Sequence, residues 1–184
     1  MKIAGWLAMA SAFLTLPLVF ISFKLEGRAD SEASAIQTII QTSGTFLFVA
    51  ILLFLKRLLH SIFNFRGTEW NINLMLITGV ITGILSVAAL HFAPFKESIG
   101  SAVIVMMVLQ GIVQIQFGYR LLKLPDNLAG MLQPFCYANM ATGIFLVSIA
   151  LIPLSILASA ISDLMLGTIF FNISRLPRGD DSGR

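Results

Sequence analysis

Residues 127–174 read NLAGMLQPFCYANMATGIFLVSIALIPLSILASAISDLMLGTIFFNIS, and Asp163 is the only charged residue in the run. As a single helix rising 1.5 Å per residue it would measure about 72 Å, more than twice the roughly 30 Å of a bilayer's hydrocarbon core. A run so apolar belongs in lipid, and a run so long must fold back within it. Pro153, in ALIPLS at 150–155, is the expected corner, because proline lacks a backbone donor and the residue before it avoids helical dihedrals. Folding back there leaves roughly 20 residues on each side, one crossing apiece.

Working outward, charged residues are also absent from 3–23, 33–55, 70–95 and 98–119. Each window is long enough for one crossing. The expected fold class is therefore all-α, a polytopic membrane helix bundle of six transmembrane helices at about 3–23, 34–56, 72–93, 99–121, 130–151 and 154–174. A five-span alternative keeps the last segment as one long, partly interfacial helix, since the Pro153 corner has no polar loop. Residues 1–174 are expected to form a single transmembrane domain and 175–184 a short polar cytoplasmic tail.

Basic residues separate the two topologies. Six spans with both termini cytoplasmic put Lys2, Lys56, Arg57, Arg66, Arg120, Lys123, Arg175, Arg178 and Arg184 inside and leave Lys24, Arg28 and Lys96 outside. Five spans would move Arg175, Arg178 and Arg184 outward and erase that bias, so the tendency of Lys and Arg to stay cytoplasmic favours six. The expected location is a bacterial cytoplasmic membrane, with the lipid bilayer and other membrane proteins as partners. Composition agrees: the chain is 57% hydrophobic and 11% charged, far below the charged share of a soluble domain. Every segment between spans is too short to bury a core of its own.

Catalytic classes find no support. The chain has no HExxH, CxxC, GxSxG or P-loop motif, and its one cysteine, Cys136, lies inside an apolar segment. No basic patch beyond the inner-face charge suggests nucleic acid. We therefore expect a protein that is not an enzyme; no residue pattern names a catalytic group, a metal ligand or a cofactor, so the cofactor is unknown.

Two features carry what functional signal there is. Small residues recur at helical spacing: Ala4, Ala8 and Ala12 on span one, Gly79 and Gly83 on span three, and Ser155, Ser159, Asp163 and Gly167 on span six. Short side chains let helix backbones approach closely, so these are expected helix-packing faces, within this bundle or against another protein. The second feature is polarity at mid-depth. Asp163, Gln110 on span four and Asn139 on span five fall near the bilayer centre, where an ionisable group costs several kcal/mol unless it faces the bundle interior, water or a partner. With Ser159 they form an expected intramembrane cluster, able either to tie helices together or to bind a cation, relay a proton or hold a solute.

The leading functional expectation is a non-catalytic accessory or scaffold subunit that docks to a larger membrane complex, motivated by the shortness of every extramembrane segment. The alternative is a small-solute transporter, or the substrate-binding membrane subunit of one. In size, six-span outline and the Ala4, Ala8, Ala12 stripe, the chain resembles the substrate-binding subunits of energy-coupling-factor vitamin transporters. The resemblance implies that the stripe contacts a scaffold subunit, and it carries over no ligand-binding residue.

Overall fold

The computed structural model describes residues 2–25, 31–125 and 128–175. They form six α-helices, α1 Lys2–Leu25, α2 Ser31–Ser61, α3 Glu69–His91, α4 Lys96–Leu121, α5 Leu132–Val147 and α6 Ile152–Arg175, with single 3₁₀ turns at Ala93–Phe95 and Leu128–Gly130. Five are long and apolar enough to cross a membrane. The exception is α5, whose 16 residues span about 24 Å, short of the expected 130–151. Both of its ends are cut by left-handed backbone, at Gly130 (φ 83°) before it and Ile149 (φ 49°) after it.

That second end corrects the expected corner. The chain reverses over residues 148–151, with Ile149 in the left-handed region that a β-branched residue occupies only at a cost. Pro153 instead sits in the first turn of α6, where a missing N–H costs no helical bond. Proline thus marks the start of the sixth helix rather than the bend itself. Within α1 the helix runs through Pro17 uninterrupted.

Each helix packs on its neighbours in sequence, and α1 closes on α6, so the six make a ring with no backbone contact across it among the described residues. Alternating direction brings Lys2, Lys56, Arg57, Arg66, Arg120, Lys123 and Arg175 to one end, called the basic end below. Trp6, Trp70 and Tyr119 stand exposed near that same end, the headgroup position such amphipathic rings favour. Along the ring, Phe13, Ile39, Phe46, Ile84, Val105 and Ile112 are exposed, an apolar exterior suited to lipid.

Packing differs between the two halves of the ring. Toward the basic end the interior is filled by Leu55, Leu58, Leu59, Ile72, Phe117, Leu121, Phe135 and Phe170, each at most 2% exposed. Toward the opposite end few large side chains are buried, and small residues set the helix spacing. The expected small-residue faces are all used inside the bundle. Ala4, Ala8 and Ala12 are buried, and a Cβ at Gly167 would lie 3.0 Å from Met9 Cγ and 3.2 Å from the Gly5 carbonyl, which marks the tight α1–α6 contact. Gly79 and Gly83 face Phe48 and Thr45 of α2, and Ser155 is buried, its hydroxyl turned back to the Ile152 carbonyl at 2.6 Å. The tightest helix crossing uses glycines outside those stripes: a Cβ at Gly111 of α4 would sit 2.7 Å from the Gly143 carbonyl of α5, and one at Gly143 would sit 2.5 Å from the Gly111 carbonyl.

Candidate functional site

At mid-depth the ring encloses a cavity of about 220 Å³ to which all six helices contribute. Its polar lining comprises Ser11 and Thr15 from α1, Gln114 from α4, Asn139 from α5, and Ser159, Ser162 and Asp163 from α6. The rest is apolar, including Phe48, Leu52, Leu55, Met75, Phe117 and Phe135. Local helix geometry explains the convergence. On α1 the residues Ala4, Ala8, Ser11, Ala12 and Thr15 follow the offsets i, i+4, i+7, i+8 and i+11, and on α6 Ser155, Ser159, Ser162, Asp163 and Leu166 repeat the same offsets. Each set lies on one helical face. The small members let α1 and α6 approach, and the polar members meet where they do.

Asp163 faces this interior. Ser11 Oγ donates to its Oδ2 at 2.7 Å, and among the described residues Oδ1 has no partner. Asn139 donates from Nδ2 to the Phe135 carbonyl at 3.1 Å and to Ser162 Oγ at 2.8 Å. A carbonyl accepts only, so that contact fixes which way the amide points, with Oδ1 left to accept. Gln114 is 9% exposed and its Oε1 has no hydrogen-bond partner among the described residues. Among the described residues no Lys, Arg or His lines the cavity.

Of the four residues expected to cluster, Asp163, Asn139 and Ser159 line this one cavity, whereas Gln110 does not. The closest partner of Asp163 is Ser11, on the helix farthest from it in sequence, rather than Ser159, Asn139 or Gln110. Gln110 lies in a second cavity of about 270 Å³, lined by α2, α3, α4 and Leu146 of α5, and its Oε1 accepts a hydrogen bond from Thr78 Oγ1. Gln110 and Gln114 are one turn apart on α4, so a small depth difference assigns them to different cavities. The second cavity extends through Gln41, Thr45, Gly83, Ser86 and Met107 toward the end opposite the basic one. Gly44 and Phe48 belong to the walls of both cavities, and the Phe48 ring lies over Gly79.

Ser11, Thr15, Gln114 and Ser162 complete the site beyond the expected residues. The α1 pair had a signal, since both extend the Ala4, Ala8, Ala12 face, and Ser162 is the neighbour of Asp163. Gln114 had none apart from being polar in an apolar run. His60 and His91 lie at opposite ends of the bundle, the first 3.7 Å from Glu69 and the second 3.1 Å from Thr38 Oγ1. Among the described residues no group of three or more His, Cys, Asp or Glu is placed to hold a metal ion.

No protein-family model, curated protein or solved structure matches the chain.

Proposed function

We propose that the protein binds a small solute within the ring and serves in its movement across a membrane, the second of the two functional expectations. The observation that carries this reading is the central cavity. Polar side chains from four helices converge at mid-depth around an acid with no basic partner, and polar groups held in lipid at that depth are costly unless they serve an interior site. A fully packed structural bundle needs no such space. The second cavity beside it supplies a route toward the end opposite the basic one, and the packed basic half closes the other side. The access this describes is one-sided.

The accessory-subunit reading draws on the short extramembrane segments. Its expected docking stripes at Ala4, Ala8, Ala12, Gly79, Gly83 and Gly167 are occupied by helix contacts inside the ring, so a partner would have to dock elsewhere. We further propose a bacterial cytoplasmic membrane with the basic end cytoplasmic, from the distribution of Lys and Arg.

Native mass spectrometry of the protein purified in mild detergent tests the choice. A single chain carrying a retained small molecule supports solute binding. Stoichiometric companion proteins and an empty cavity would transfer support to the subunit reading.

A further inference from the structure

We infer that the central cavity selects a small organic cation, a primary ammonium group on a compact apolar body. This rests on the solute-binding reading and names the class of solute.

Two oxygens that can only accept remain unpaired in the cavity among the described residues. Ser11 occupies Oδ2 of Asp163, leaving Oδ1. Asn139 spends its amide nitrogen on the Phe135 carbonyl and Ser162, leaving its oxygen. Gln114 adds an amide with no hydrogen-bond partner among the described residues. A ligand group that meets Asp163 and Asn139 must donate, and an ammonium group brings three N–H donors and no acceptor. Charge points the same way. Asp163 has no cationic neighbour in the lining among the described residues, so an anionic solute would meet a carboxylate and no basic group there, whereas a cation would supply the missing counter-charge.

The remainder of the wall sets the body of the solute. Leu52, Leu55 and Met75 offer no polar group, and Phe48, Phe117 and Phe135 present rings, which attract a desolvated cation as well as an apolar skeleton. A hydrated metal ion would leave these surfaces unused. A dry apolar cavity of about 150 Å³ holds benzene, so about 220 Å³ suits a single ring with a short amine-bearing arm.

The test uses the full chain in lipid nanodiscs, with benzylamine, benzyl alcohol and benzoate as probes of nearly one shape and three charge states. Calorimetric titration should give benzylamine a dissociation constant lower than that of benzyl alcohol by about tenfold or more, the value of one charge-assisted hydrogen bond, with no binding of benzoate. Asp163→Asn should bring the ratio of the two affinities to about one. Gln114→Met, which keeps length and removes the amide, should lower the ratio by a smaller factor and serves if the first variant does not fold. Benzyl alcohol or benzoate binding as tightly as benzylamine, or a preference unchanged in the variants, would overturn the cation assignment while leaving solute binding intact. Failure of all three probes, together with stoichiometric companion proteins in the purified sample, would overturn both.

Discussion

Replacing Gly143 by alanine adds one methyl group at the closest approach of α4 and α5. The new Cβ would lie 2.5 Å from the Gly111 carbonyl oxygen, 2.8 Å from Ile115 Cγ1 and 3.1 Å from Ile115 N. A carbon and a carbonyl oxygen come to rest at about 3.3 Å, so the two backbones must part locally by about 0.8 Å. Two of the three obstacles are backbone atoms, which cannot swing aside as a side chain does. Overpacking of this kind costs about 1–3 kcal/mol, and a gap of that size also forfeits a quarter to a half of the dispersion energy of the contacts it opens. Against this stands the helix propensity of alanine over glycine, worth about 1 kcal/mol. The net expectation is a loss of about 1–2 kcal/mol. Gly100→Ala, on the same α4 with nothing within 4 Å of its would-be Cβ, isolates the propensity term and should stabilise by up to about 1 kcal/mol. Equilibrium unfolding in mixed micelles with increasing SDS, followed by Trp6 and Trp70 fluorescence, measures both variants. Opposite signs are expected. A Gly143→Ala protein as stable as Gly100→Ala would show that the two helices are not held at the observed distance and would refute the account of this crossing.

Other outcomes follow from the same structure. Gly83→Leu should impair folding or yield, because its Cβ would lie 3.1 Å from Thr45 Cβ of α2, which no rotation of the Thr45 side chain moves, and the rest of a leucine must then push α2 from α3; unchanged yield and stability would place that face against lipid. Asn71 is fully buried and neither its Oδ1 nor its Nδ2 has a hydrogen-bond partner among the described residues, so Asn71→Leu should raise stability by about 1–3 kcal/mol, the cost of an unsatisfied buried amide, in the same unfolding assay; a loss would show that the amide is satisfied in the folded protein. Phe48→Ala removes the ring that walls both cavities, and should speed reaction of an engineered Ser159→Cys with a small water-soluble thiol reagent severalfold; an unchanged rate would put the barrier elsewhere. Reporter fusions after Arg184 and within residues 94–97 should report a cytoplasmic C-terminus and an external loop, and the reverse pattern would overturn the proposed orientation.

How much of this was legible beforehand differs from residue to residue. Charge-free windows disclosed α1 to α4 to within a few residues, because lipid tolerates few charges along a whole span. The corner after α5 was displaced because proline signals where a helix can begin as readily as where one ends, while the left-handed conformation of Ile149 leaves no trace in an isoleucine codon or its neighbours. Asp163 was legible as an interior residue from depth alone. Its pairing with Ser11 was not, since those residues stand 152 positions apart and meet only when the ring closes.

By itself the sequence determined that the chain is a bundle of membrane helices, which faces are small enough to pack, and that one acid lies deep within it. Those properties depend on composition and period, which are local. Only the tertiary structure decided that the helices close into a ring, that Gly111 and Gly143 make its tightest crossing, and that Asp163, Asn139 and Gln114 share a cavity from which Gln110 is excluded. These depend on how far each helix is rotated and shifted against its neighbours. Several apolar faces of similar merit compete in every span, and the choice among them is settled by close packing of all six helices at once.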